Sequence, residues 1–146
     1  MNMPSEDDRL ESMKILLVGH DPMFRDVLGD SLRDQGAMLI AVGSAEEALR
    51  ALGDDSFEGI ISDYELAGMD GLSFLQQAQA TQLRAAKILV TAYGDIDSVS
   101  ELFRQGIDAV LVKPFPYQDF VEILCECISR KKAGRLPKSR RPPGEG

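Results

Sequence analysis

The sequence predicts an α/β fold, a doubly wound, five-stranded parallel sheet with helices on both faces. Two observations predict it. Five short apolar runs are each stopped by turn-forming or polar residues, and between them apolar residues recur at helical spacing. An alternation of this kind puts strands in one layer and returns the chain through helices, each crossover right-handed. The length agrees: 146 residues normally form one domain, which buries roughly 70% of its unfolded surface.

Each element has a local reason. Lys14-Ile-Leu-Leu-Val18 is apolar at consecutive positions, which suits a strand covered on both faces, and Gly19-His20-Asp21-Pro22 stops it. Pro22 fits a first helical turn, and Phe24, Val27, Leu28 and Leu32 form that helix's apolar stripe until Gly36. Met38 to Val42 reads as the second strand. Ser44 with Glu47 three residues on is a capping-box pattern, ahead of a stripe of Ala45, Ala48, Leu49 and Leu52. Gly59-Ile-Ile-Ser62 is a short strand ending at Asp63, and Leu72, Leu75 and Ala78 mark the third helix. Lys87-Ile-Leu-Val90 is the fourth strand, ending at Thr91, with Ile96, Val99 and Phe103 on the helix after it and Gly106 as its stop. Ala109-Val-Leu-Val112 precedes Lys113-Pro114, and Phe120, Leu124, Cys127 and Ile128 line the last helix.

The formal charge of −8 conceals a division: nine basic against 23 acidic residues up to Ser129, then seven basic against one acidic from Arg130 to Gly146. The expected organisation is a loose acidic arm over 1–13, a domain over 14–129 and a basic Gly/Pro-rich tail or linker over 130–146. The tail lacks aromatic interleaving, so nucleic acid is not the expected partner. Cys125 and Cys127 lie too close on one helix for a disulfide framework. With no apolar run near the ~18 residues of a membrane span and no signal-like start, a cytoplasmic chain without membrane contact is expected.

In an open parallel sheet, ligands bind beyond the carboxyl ends of the strands. There this chain places Asp63, Thr91 and Lys113. A carboxylate can attack phosphorus, while a hydroxyl and an ammonium hold its equatorial oxygens. Taken singly, a strand-end Asp or Thr more often caps the next helix and a lone Lys is usually solvated. Taken as a set at one edge, they favour phosphoryl chemistry.

Three segments, Asp63-Tyr-Glu-Leu-Ala-Gly68-Met-Asp-Gly71, Val90-Thr91-Ala92-Tyr93-Gly94-Asp95 and Val112-Lys113-Pro114-Phe115, resemble the receiver domain of two-component response regulators over about residues 14 to 129. The resemblance implies a flavodoxin-like sheet of strand order 2-1-3-4-5. It implies that Asp63 accepts phosphate from a histidine kinase or phosphotransfer protein, that Thr91 and Lys113 contact the phosphoryl group, and that Asp63 and the Glu65 carbonyl hold Mg2+. It also implies a cis Lys113-Pro114 bond. The first candidate for a downstream partner is the face of the fourth helix, fifth strand and fifth helix, with Phe115 and Tyr117 near its rim. Homodimerisation stays open.

Two departures from the family pattern stand out. The acidic pair that ends the family's first strand is here Gly19 and His20, with Asp21 one place later. Sliding the alignment to recruit Asp21 would reverse which face each strand residue occupies. Magnesium usually takes one or two carboxylates plus waters, so the expected site is weak, with Asp63 its one clear carboxylate. His20 reads first as a bystander in the loop. The other readings are an imidazolium standing in for part of the metal's charge, or a transition-metal ligand with Asp63. The second departure is Val110, where the family usually carries an aromatic ring that moves with Thr91.

Two functions remain in play: a phosphate-accepting receiver with weakened metal dependence or efficiency, and a receiver-shaped interaction module that works without phosphorylation. Independent enzyme activity is not expected. A haloacid-dehalogenase-type phosphatase would carry a second Asp where Glu65 stands, and no Gly-rich phosphate loop or Ser-His-Asp arrangement is present.

Overall fold

The computed structural model describes residues 9–53, 55–92 and 99–134, without the side chains of 99 and 100. Ten elements alternate along the chain: β1 (Lys14–Val18), α1 (Pro22–Asp34), β2 (Met38–Val42), α2 (Ala45–Leu52), β3 (Gly59–Asp63), α3 (Gly71–Gln79), β4 (Ala86–Thr91), α4 (Val99–Arg104), β5 (Ala109–Val112) and α5 (Tyr117–Lys132). All strand pairs are parallel, and the sheet order is β2-β1-β3-β4-β5. The fold is the doubly wound sheet that the sequence predicts.

Period-two alternation distributes the core between the faces. Ile15, Leu17, Ile61, Ile88, Val90 and Leu111 point toward Leu28 and Leu32 of α1 and Phe120, Leu124 and Ile128 of α5. Leu16, Val18, Ile60 and Leu89 point the other way, toward Ala48 and Leu52 of α2, Phe74 and Leu75 of α3 and Leu102 of α4. Strands that are apolar at every position are therefore apolar because both faces are covered. Each large side chain so buried contributes about 1.5–3 kcal/mol before entropy is charged against it.

Capping fixes where the helices start. Ser44 Oγ accepts from the Glu47 amide at 3.1 Å, and Glu47 Oε1 accepts from the Gly43 amide at 3.2 Å. That return bond lands one residue earlier than in a standard capping box. Asp70 caps α3 by accepting from the Ser73 amide at 2.7 Å.

Three expectations are corrected. Residues 9–13 are not part of a loose arm. Leu10 is fully buried in the α1/α5 core, its amide donates to the Gln35 carbonyl, and the Met13 carbonyl accepts from the Met38 amide. Two apolar side chains, Leu10 and Met13, and a few backbone bonds are enough to dock this segment. Val27, placed on the α1 stripe by its spacing from Phe24, is exposed, because the helix turns Leu28, Ser31 and Leu32 to the core instead. The last helix continues through Lys132, three residues past the expected boundary. Residues 1–8, 135–146, Ile96 and Tyr93-Gly94-Asp95 of the second motif lie outside the described residues. Among the described residues no helix is long and apolar enough to cross a membrane.

Candidate functional site

Parallel register brings the site together. Asp63 pairs with Val90 across β3–β4, and Thr91 pairs with Val112 across β4–β5, so Thr91 and Lys113 each follow by one residue at the same edge. On the other side Val18 pairs with Ser62, which brings Gly19 to the level of Asp63. Three backbone bonds hold the strand ends: Tyr64 amide to Val90 carbonyl at 2.7 Å, Gly71 amide to Tyr64 carbonyl at 2.7 Å, and Lys113 amide to Thr91 carbonyl at 2.8 Å.

Within this frame two of the predicted residues, Asp63 and Lys113, are in contact. Lys113 Nζ lies 3.0 Å from Asp63 Oδ2, with the Asp63 side chain only 9% exposed and that of Lys113 33%. Thr91 is buried at the neighbouring strand end. A desolvated carboxylate gains more from an adjacent cation than it would in water, so this pair is the electrostatic centre of the edge. The Lys113-Pro114 bond is cis. Glu65 stands two residues beyond Asp63 with an exposed side chain.

The residues that depart from the family pattern have definite local roles. Asp21 is the N-cap of α1, its Oδ1 accepting from the Met23 amide at 3.0 Å. Sliding the alignment to make it a metal ligand is therefore not supported: the register keeps Gly19 beside Asp63, and Asp21 serves the helix. His20 is exposed. Val110 is half-buried and packs against the α2/α3/α4 core. Phe115 packs inward, its ring centroid 6.1 Å from that of Phe120, whereas Tyr117 is exposed on α5.

Sequence reasoning missed Phe24 at this site. Its ring lies beside Gly19 so closely that a Cβ added there would stand 2.3 Å from Cδ2 and 2.6 Å from Cε2. A second neighbour of the ring is Lys113, whose Nζ sits 4.7 Å from the ring centroid. The ammonium is thus held between a carboxylate and an aromatic face, a distance at which the ring's quadrupole attracts a cation. Arg25 completes the change, its Nη1 donating to the carbonyls of Gly19 at 2.6 Å and His20 at 3.2 Å. The helical spacing that puts Phe24 on the core stripe gives no sign of its second contact.

A magnesium ion needs about six oxygen ligands in near-octahedral array. Among the described residues no group of three His, Cys, Asp or Glu side chains is arranged to hold a metal. One oxygen of Asp63 is paired with Lys113, the two carbonyls after β1 are taken by Arg25, and an aromatic ring adjoins Gly19. The donor set present is a poor fit to magnesium: Asp63 keeps one carboxylate oxygen clear of Lys113, and positions 19 and 20 supply no second carboxylate.

Residues 15–125 match the response regulator receiver domain family. The chain is 38% identical over 126 residues to the response regulator protein FleR of Pseudomonas aeruginosa, covering 86% of this chain and 26% of that protein. It is 28% identical to the transcriptional activator protein PfeR of the same organism, over 90% of this chain and 43% of PfeR. It therefore spans between about a quarter and under half of these curated relatives. Among solved structures, a CheY-like receiver domain protein from Methanospirillum hungatei superposes with a TM-score of 0.79 at 24% identity, covering 85% of this chain and 99% of that one. The receiver domain of a sensor histidine kinase from Pseudomonas aeruginosa PAO1, solved with a magnesium ion in its active site cleft, gives 0.70 at 27% identity, over 81% of this chain and 98% of that one. With the sheet order, the strand-end residues and the match over most of its length in agreement, the chain belongs to the response regulator receiver domain family of two-component systems.

Proposed function

We propose that this domain accepts a phosphoryl group on Asp63, slowly and with little help from a metal, and relays a kinase signal. The observation that carries the reading is the 3.0 Å pair of Asp63 and Lys113, half-buried at the sheet edge beside the strand end of Thr91. The donor is a histidine kinase or phosphotransfer protein. Asp63 Oδ1, the oxygen not held by Lys113, attacks phosphorus. The phosphorus–nitrogen bond of the donor phosphohistidine breaks, and its electron pair leaves with the imidazole nitrogen, which takes up a proton. Lys113 and the Thr91 hydroxyl then hold the phosphoryl oxygens. A divalent cation would normally stabilise several kcal/mol of developing charge here, so transfer that relies on Lys113 alone is slow.

A downstream protein reads the modified domain on the α4–β5–α5 face, where Tyr117 is exposed. With Val110 in place of an aromatic ring, the change at Thr91 is transmitted by packing rather than by a ring swinging between two positions.

A second reading is favoured by Gly19, His20 and the ring of Phe24: a receiver-shaped module that binds its partner without phosphorylation. One experiment separates them. The protein is incubated with phosphoramidate, with and without magnesium, and its intact mass is measured. The gain of one phosphoryl group, lost in Asp63→Asn and changed little by magnesium, is the expected result. No gain at any magnesium concentration overturns the first reading and leaves the second.

A further inference from the structure

We infer that Phe24 decides which cation this site takes: its ring closes the ground beside Gly19 to a divalent ion and holds the Lys113 ammonium against Asp63 in the ion's place. The inference deepens the reading of Asp63 as phosphoacceptor and rests on it.

Three observations carry it, two of them contacts of the ring itself. At the β1 end, register sets Gly19 level with Asp63, and the ring leaves no room there even for a methyl group. An acidic side chain at position 19 therefore requires the ring to move first. At the β5 end, the ring's face receives Lys113 Nζ at 4.7 Å while Asp63 Oδ2 receives it at 3.0 Å. The ammonium is a compact cation with three donors, able to pair with a carboxylate and with an incoming phosphoryl oxygen in turn. On the α1 side, Phe24 is followed by Arg25, which takes the carbonyls of Gly19 and His20, oxygens that a metal would otherwise compete for.

The ring and the missing carboxylates are thus parts of one arrangement. Restoring acids at positions 19 and 20 does not rebuild a metal site while the ring stays, because the ring keeps a carboxylate at position 19 from its place and the ion from its volume. Removing the ring alone does not rebuild it either, since an opened pocket without carboxylates attracts no hard cation.

The test is a Mn2+ titration of the full chain, read by the electron paramagnetic resonance of the free aquo ion. Wild type, Gly19→Asp with His20→Asp, and that pair combined with Phe24→Ala or with Phe24→Tyr are compared. The expected result is at least tenfold tighter binding in the Phe24→Ala combination than in the pair, with the Phe24→Tyr combination, which keeps the ring, no tighter than the pair. Phe24→Met, with an unbranched side chain, serves in the same way should the alanine variant lack a cooperative melting transition. The inference is overturned if the pair alone binds Mn2+ as tightly as the combination without the ring, if wild type does so, or if removing the ring brings no gain. The titration involves no phosphoryl transfer. An unlabelled wild-type Asp63 therefore sinks the phosphoacceptor reading, while the ion data decide the role of the ring separately.

Discussion

Gly71 packs against the backbone of Asp63 so tightly that a Cβ added at position 71 would stand 2.0 Å from the Asp63 carbonyl oxygen. The first turn of α3 rests directly on the end of β3, and Ser62 Oγ, which donates to that same carbonyl at 2.9 Å, would meet the added carbon at 2.9 Å. The obstruction is backbone, which cannot rotate aside as a side chain can. Gly71→Ala is expected to lower stability by about 2 kcal/mol or more, in the range of overpacked cores. It should also displace Asp63 from Lys113. Urea unfolding measures the first effect, and phosphoramidate labelling the second. A variant as stable as wild type would show that the turn yields more easily than this packing allows.

The Asp63–Lys113 pair has one member nearly buried and one a third exposed. Its worth lies between that of a solvated ion pair and that of a fully buried one, and solvent screening at Lys113 keeps it nearer the lower end. A double-mutant cycle of Asp63→Asn and Lys113→Met is expected to give a coupling of about 1 kcal/mol from chemical denaturation. Lys113→Met alone should cost more stability than the double variant, because it leaves the carboxylate buried without its cation. Equal losses in the two would remove the case for Asp63 being held by charge.

Asp21 separates a capping role from a metal-binding one. Its carboxylate accepts the Met23 amide at the first turn of α1, so Asp21→Ala should cost about 1 kcal/mol, and Asp21→Asn or Asp21→Ser much less. Labelling of Asp63 should then respond only as far as stability does. If Asp21→Asn keeps full stability yet slows labelling tenfold, the side chain contributes to the chemistry and not only to the helix.

The parts of this fold that the sequence makes legible are those set by local chemistry. Consecutive apolar residues from Ile15 to Val18 announce a strand covered on both faces, and Ser44 with Glu47 announces a helix start, because both patterns act through neighbours in the chain. The placement of Asp63, Thr91 and Lys113 at one edge is legible too, since a parallel sheet gathers strand ends there. Contacts between elements are not. Phe24 looks like any core residue of an amphipathic helix, and nothing near it in sequence says that Lys113, 89 residues on, lies over its ring. Leu10 lies in a mostly polar stretch, and only its packing in the α1/α5 core gives it a reason to be buried. Lys87 reads in the sequence simply as the start of a strand, yet it is fully buried.

Lys87 gives the last prediction. Its ammonium lies at the edge of the sheet opposite Asp63, donating to the carbonyls of Gln82 and Ala85, while its own amide donates to Asp108 Oδ2 at 2.8 Å. Lys131 reaches the same carboxylate from α5, 3.4 Å from Asp108 Oδ1. Burial, helped by the positive charge of Lys131 and opposed by Asp108, pushes the Lys87 ammonium down to about 8. Below pH 8 both folded and unfolded chains carry this proton, and the cost of burying the charge is fully present. Between pH 8 and 10.5 the unfolded chain keeps the proton and the folded one has lost it, so this group makes stability rise with pH. Cys127, close to Asp108 and pushed up to about 12 by burial, acts in the opposite sense above pH 9. The difference between wild type and Lys87→Met cancels that contribution. The stability of wild type relative to Lys87→Met should therefore improve by on the order of 3 kcal/mol between pH 8 and 10.5, as measured by urea unfolding across that range. A difference that stays flat with pH would mean that Lys87 keeps its proton in the folded protein, its charge carried by the carbonyls of Gln82 and Ala85 and by Asp108.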